Sequence, residues 1–430
     1  MVRPLAILIV ACLLFSSCKE KLDLDHNPDG SVSERRTMWK TAVNTDRYFA
    51  TGLRTNITYN GGVLVPYSTG IPFVAGGFSD RGGIALLDGE TGKERWRWQG
   101  YMYERELFDI QYAYLQGNLM VFPSGPRTHC INLDNGQTAW QKWKQDTVYS
   151  QYTMSGLGNS YYFCGSKIVP GSNPHSALYR GNILAPQPEE LVAAPQLPVE
   201  YLEETPILFG ATSMAPTVIE GDTVIVVDYQ TPTAEARYNY IRSVYGLYNL
   251  SKKKWVYKDI PLVDPQPGTV VDWLPVIYEG KIYHSVGRFI TCHDLLTGER
   301  KWYQTFTQDF LMSGFIVSDG VVVANCEDTY IYGFDVNSGA QLWREKSSGS
   351  STKLFAQEGF VYFAGGGDGL LHAVEIKTGR TWWKLESPDL KKNGYAYFQQ
   401  MVSGIPAKAG RKGRVYASTG IHIYAFEAIR

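Results

Sequence analysis

The chain lacks a dominant charge: 41 lysines and arginines stand against 42 aspartates and glutamates in 430 residues. Nucleic-acid binders usually carry a marked basic excess, so this balance gives no electrostatic reason to expect DNA or RNA as a partner. Long apolar runs are missing too, since after the first eighteen residues no segment is apolar enough to cross a bilayer. Cysteine is scarce. Beyond Cys18 there are Cys130, Cys164, Cys292 and Cys326, two successive pairs of equal spacing. Export would permit bridges, but each of the four lies inside an apolar strand pattern, where a buried free thiol is the simpler expectation. Beyond His26, the histidines His129, His175, His284, His293, His372 and His422 are scattered, without the paired spacing of a metal-binding helix. There is no Gly-x-Ser-x-Gly elbow, no glycine-rich loop leading into a helix and no compact carboxylate cluster for a calcium cage. The sequence therefore offers no catalytic residue, no metal ligand set and no cofactor.

What is present starts with the leader. "MVRPLAILIVACLLFSSC" places Arg3 before an apolar core from Leu5 to Phe15, then Ser16, Ser17 and Cys18. The core is too short to span a membrane comfortably and has the length of a secretory h-region. Small residues followed by cysteine resemble a bacterial lipobox, which implies a signal peptide over 1–17 and acylation of Cys18. Residues 18–37 are polar, with too little apolar surface to offset ordering entropy, and read as a tether. The folded domain is expected over 38–430.

Within that domain the sequence repeats itself. "LLDGETGKERW" (86–96) carries Asp88, Gly92 and Trp96, and the same skeleton returns as Asp294-Gly298-Trp302, Asp335-Gly339-Trp343 and Glu375-Gly379-Trp383. An acidic residue at a strand end can bond amides two residues on. Glycine supplies the positive φ that follows, and a tryptophan on the next strand buries a large flat ring against a neighbouring sheet. A lone hairpin needs the first two features; stacked copies need all three. Imperfect copies carry Asp134, Gly136 and Trp140, and then Trp255, where Leu250 stands in the acidic position. Residues 158–183 form a degenerate copy without tryptophan. The last copy stops at Glu427, and "RTMWKTAV" (36–43) supplies a tryptophan strand without a partner of its own. Pairing Trp39's strand with the strand ending at Glu427 would remove the open edge of a ring. The strands ending near Asp88, Asp134, Tyr179, Leu250, Asp294, Asp335, Glu375 and Glu427 give eight units, or seven if 158–183 is an insertion. The expectation is all-β: an eight-bladed β-propeller of four-stranded antiparallel blades, closed by its N- and C-terminal strands.

The Asp-x-x-Thr-Gly-x-x-x-Trp signature resembles the PQQ-type β-propeller repeat, over essentially all of the chain after the tether. That family includes quinoprotein dehydrogenases and lipid-anchored, non-enzymatic propellers such as the outer-membrane assembly lipoprotein BamB. Many of the alcohol dehydrogenases carry a vicinal cysteine pair near the quinone, and this chain has no Cys-Cys. The resemblance therefore implies a non-enzymatic scaffold at the outer membrane, anchored through lipid on its periplasmic face or at the cell surface, whose partners are membrane proteins of the envelope. A glycan-binding propeller is the alternative, suggested by abundant tyrosine and tryptophan; a quinone-dependent dehydrogenase comes third. Residues 185–211 carry five prolines and read as a long loop or edge excursion, a candidate contact.

Overall fold

The structure is a computed structural model that describes residues 32–33, 36–43, 52–53, 57–68, 82–99, 109–110, 112–124, 127–143, 149–166, 176–193, 210–232, 241–263, 273–307, 314–390, 397–398, 401–419 and 421–429. Cys18, the leader, His175 and residues 194–209 lie outside them. The described residues contain strands and turns and no helix.

Eight four-stranded antiparallel sheets follow one another along the chain as the blades of a propeller. Blade 1 is Thr58–Tyr59, Gly62–Ser68, Gly82–Asp88 and Glu94–Trp98. Blade 2 is Tyr114–Gln116, Leu119–Ser124, Arg127–Asn132 and Gln137–Trp143. Blade 3, built on the degenerate copy, is Tyr149–Leu157, Ser160–Ser166, Ala177–Asn182 and Glu190–Ala193. Blade 4 is Gly210–Ile219, Asp222–Pro232, Ile241–Asn249 and Lys254–Pro261. Blade 5 is Val276–Tyr278, Lys281–Val286, Phe289–Asp294 and Arg300–Thr305. Blade 6 is Phe315–Ser318, Val321–Asn325, Tyr330–Asp335 and Gln341–Lys346. Blade 7 is Phe355–Gln357, Phe360–Ala364, Leu371–Glu375 and Thr381–Leu385. Blade 8 takes Val402–Ile405, Arg414–Ser418 and His422–Glu427 from the end of the chain and Thr37–Ala42 from its beginning.

The expected eight-bladed ring with paired ends is therefore the fold, and the seven-blade count is excluded. Thr37–Ala42 runs antiparallel to His422–Glu427, with Trp39 opposite Ala425. Order starts earlier than the tether boundary at residue 37 suggests: Val32–Ser33 pairs in parallel with Lys384 and Leu385 as a fifth strand on blade 7. Middle strands such as Val321–Asn325 and Phe360–Ala364 are buried along their whole length, and their side chains fill the spaces between blades.

Strand alternation gives the ring two unlike faces. Turns from first to second strand and from third to fourth leave one end of each blade, here termed the turn face. Five of the first-to-second turns are two-residue hairpins with positive φ at both positions: Asn60-Gly61, Glu220-Gly221, Glu279-Gly280, Asp319-Gly320 and Glu358-Gly359. That geometry matches the twist of the flanking strands. Connections from second to third strand, and from blade to blade, leave the opposite end, the loop face. On that face lie the strand ends Ser68 and Gly82, Ala193 and Gly210, and Pro261 and Val276.

Candidate functional site

The repeat residues lie where each blade meets the next. In blade 1, Asp88 Oδ1 accepts from the Glu90 and Thr91 amides at 3.1 and 2.9 Å, and the Gly92 amide donates back to the Asp88 carbonyl at 2.8 Å. Arg95, 2.7 Å from Asp88, and the hydroxyl of Thr91 hold the Asp88 carboxyl down at about 2. Asp294 with Thr297, and Asp335 with Ser338, form the same turn in blades 5 and 6. Glu375, one methylene longer, accepts from the Thr378 hydroxyl at 2.6 Å in blade 7.

Each of these turns receives the outer-strand ring of the preceding blade. The indole N–H of Trp39 donates to Gly89 O at 2.9 Å, that of Trp96 to Leu133 O at 2.7 Å and that of Trp140 to Ile183 O at 2.8 Å. Trp302 donates to Val336 O at 3.1 Å and Trp343 to Ile376 O at 2.8 Å. The rings lie so close to the turn glycine that a Cβ at Gly92, Gly136, Gly339 or Gly379 would come within 2.5 Å of an indole carbon. Trp383 is fully buried in a cluster with Ala428 and Ile429, which follow the last strand of blade 8.

Three readings of individual positions are corrected. In blade 2 the capping side chain is Asn132, whose Oδ1 accepts from the Asp134 amide at 2.9 Å, while Asp134 itself accepts from Tyr59 Oη at 2.6 Å. In blade 4 the cap is Asn249, which accepts from the Lys252 amide at 2.8 Å; Leu250 is the residue after it. Trp255 is not the clamp of blade 4. Its ring meets Tyr229 and Tyr248, in the cluster shared with blade 3, whereas Tyr257, paired with Leu247 as Trp96 is with Leu86, reaches forward to donate to Leu295 O at 3.0 Å beside Gly298. Of the two readings of residues 185–211, loop or edge excursion, Glu190–Ala193 answers to the edge, as the outer strand of blade 3, and Gly210 and Ala211 open blade 4. Glu189 at its start pairs with Lys142 of blade 2 at 3.1 Å, both side chains nearly buried.

On the loop face, the connection from blade 6 to blade 7 is fastened along its length. The Asn325 side chain donates to Gly349 O, the Gly366 amide to Ser350 O, and the Gly367 amide to Ser348 O at 3.2 Å. Gly365–Gly369 thus serves as a turn packed against a second chain segment, with no room for a Cβ at Gly366 or Gly367. Asp368 closes it, lying 3.0 Å from Nε2 of the buried His372. Past this connection, the Lys353 ammonium sits 3.9 Å from the ring centre of Tyr112 and 5.2 Å from that of Trp273. Tyr112 precedes the innermost strand of blade 2, Trp273 that of blade 5 and Lys353 that of blade 7. These blades are mutually non-adjacent, so the three side chains meet over the axis of the ring.

The histidines are not gathered into a site. His284 Nδ1 lies 3.1 Å from Asp228 Oδ1 between blades 4 and 5, in ion-pair range but off the line of a hydrogen bond, and both side chains are fully buried. His293 is buried beside it, and desolvation, then the neighbouring His284, push its pKa down to about 3. His422 contacts Asp389 at 2.6 Å at the closure seam, where Lys40 adds a second contact of 3.3 Å. No group of three metal-ligating side chains occurs among the described residues. Cys130, Cys164, Cys292 and Cys326 form no disulfide and are buried, and burial pushes the Cys130 thiol up to about 12 and Cys292 to about 11.

Residues 251–429 match the family model described as "Outer membrane protein assembly factor BamB". No curated protein sequence matches the chain. Among solved structures, the chain is similar to the computationally designed Ika8 protein, with a TM-score of 0.57 and 12% identity over 90% of this chain and 99% of that one. It is similar to BamB from Moraxella catarrhalis, with a TM-score of 0.51 and 12% identity over 86% and 98% of the two chains. Sqt1 from Saccharomyces cerevisiae gives a TM-score of 0.55 and 12% identity over 81% and 93%. At such identities these likenesses show the fold, and the fold is that of a PQQ-like repeat propeller resembling BamB.

Proposed function

We propose that the protein is a lipid-anchored, non-enzymatic interaction platform of the bacterial outer membrane, and that its loop face holds a membrane protein of the envelope. The observation that carries this reading is the inequality of the two faces. The turn face consists mostly of short turns, 183–189 and 406–413 being longer, and side-chain caps and inter-blade rings fix the register of the repeat turns. The loop face carries the long connections, and loops on a rigid frame are where recognition concentrates. The family model matched by residues 251–429 is described by a role in outer-membrane protein assembly, which supports a partner of that compartment. The leader ending in Ser16-Ser17-Cys18 supports acylation at Cys18 and confinement to a membrane surface, where effective concentration towards other membrane proteins rises. Much of the aromatic surface is buried between blades, which leaves less of it for stacking on a glycan.

The test is an affinity purification of the tagged chain from detergent-solubilised membranes, beside Cys18→Ala. A protein that co-purifies stoichiometrically with the wild-type chain, together with release of Cys18→Ala into the soluble fraction, is the expected result. Saturable binding of a purified polysaccharide without any protein partner would replace this reading with the glycan one.

A further inference from the structure

We propose that Tyr112 and Trp273 form a site for an organic ammonium ion at the axial mouth of the loop face, and that Lys353 keeps this site closed in cis. The face of an aromatic ring attracts a cation through its quadrupole, and pairs of such rings recognise alkylammonium groups. Here the two rings already hold one, the Lys353 ammonium, at 3.9 and 5.2 Å from their centres. They come from the entries to blades 2 and 5, and all three residues are partly solvent-exposed, so the site opens outwards along the axis.

Trp273 is backed by Gly314, at the entry to blade 6, where a Cβ would stand 2.9 Å from the indole and φ is +72°. The ring is therefore positioned by backbone and does not need the lysine to hold it. The segment that carries Lys353 is tied down through Gly349, Ser350 and Ser348. Opening the site requires that the lysine side chain swing away, and regained rotamer freedom contributes to that step. An incoming alkylammonium, such as a lysine side chain of a bound protein, competes with a tethered ligand of the same chemistry, and a tethered ligand has a high effective concentration. The site is thus selective for ligands whose other contacts on the loop face offset that competition.

The experiment is a titration of wild-type protein, Lys353→Ala and Lys353→Met with tetramethylammonium chloride, read by intrinsic fluorescence against sodium chloride and tert-butanol as controls. Lys353→Ala is expected to bind tetramethylammonium saturably, roughly tenfold more tightly than wild type or Lys353→Met, with no matching response to tert-butanol. Equal responses of wild type and Lys353→Ala, or equal responses to the cation and its neutral counterpart, would overturn the proposal. Should Lys353→Ala fail to fold, wild-type protein with ¹³C-dimethylated lysines keeps the question open to decision. The resonance absent from Lys353→Arg must lie upfield through ring currents, and an unshifted resonance would overturn the closed site.

Discussion

Trp39 lies flat against Gly92 across the seam where the ring closes, its indole N–H on Gly89 O at 2.9 Å and its Cε3 only 2.5 Å from where a Cβ of residue 92 would stand. The same relationship links Trp96 to Gly136, Trp302 to Gly339 and Trp343 to Gly379, so one contact repeated around the ring joins blade to blade. At the seam it joins the beginning of the chain to blade 1 while Thr37–Ala42 completes blade 8.

Trp39→Ala is therefore expected to cost about 3–5 kcal/mol, the range for deleting a buried aromatic ring. Gly92→Ala should cost about 1–3 kcal/mol, because a methyl group meets the indole and φ is unfavourable. Denaturant unfolding of both variants and of the double variant measures the coupling. Independent effects would show that ring and glycine do not act together.

Blade 4 gives a sharper contrast. Tyr257→Phe removes the bond to Leu295 O, which lies between blades 4 and 5, and should cost about 1 kcal/mol. Trp255→Ala should instead loosen the side facing blade 3, around Tyr229 and Tyr248. Hydrogen exchange resolves the two. Faster exchange at residues 294–298 in the Trp255 variant would contradict the assignment.

Stability should fall as the solution is acidified. His293 stays neutral in the folded protein down to about 3, whereas its ordinary value is 6.5. Unfolding takes up a proton between those values, so this contribution is complete above about pH 6.5 and is lost as pH falls towards 3, at no more than about 1.4 kcal/mol per pH unit. Asp88, held at about 2, adds its own loss only below the ordinary carboxylate value of 3.8. His293→Gln should flatten the dependence of the urea midpoint between pH 6.5 and 5, and an unchanged slope would contradict the assignment.

The four buried thiols should resist alkylation in the folded state, because desolvation disfavours the thiolate. Mass spectrometry after iodoacetamide treatment should show Cys130, Cys164, Cys292 and Cys326 modified only when the chain is unfolded. Modification of native protein at any of them would contradict their burial.

The ring and its closure were legible in the sequence because the repeat is local: cap, glycine and tryptophan fall within nine residues of one another, as in Asp88 to Trp96. Misreadings arose where side-chain chemistry departed from the pattern. Asn132 and Asn249 keep the spacing of the repeat, four residues before Gly136 and Lys253 as Asp88 is before Gly92, but with an amide in place of the carboxylate. Tyr257 also keeps the spacing of the repeat, eight residues after Asn249 as Trp96 is after Asp88, but the nearby Trp255 draws the reading two places early. The prolines of 185–211 leave loop and edge excursion both open, since edge strands tolerate flanking proline, and Glu190–Ala193 is the edge strand. The Tyr112–Trp273–Lys353 cluster had no local signal, since it exists only when three non-adjacent blades face one axis.

The central claim, that the loop face binds a protein partner, is tested most directly by quantifying what co-purifies from membranes with two matched surface variants. Tyr397→Glu alters an exposed residue of the loop face, 42% accessible, and Leu296→Glu an exposed residue of the turn face, 60% accessible. The account predicts that Tyr397→Glu loses most of the co-purifying protein while Leu296→Glu retains it. Retention by Tyr397→Glu with loss from Leu296→Glu would contradict it.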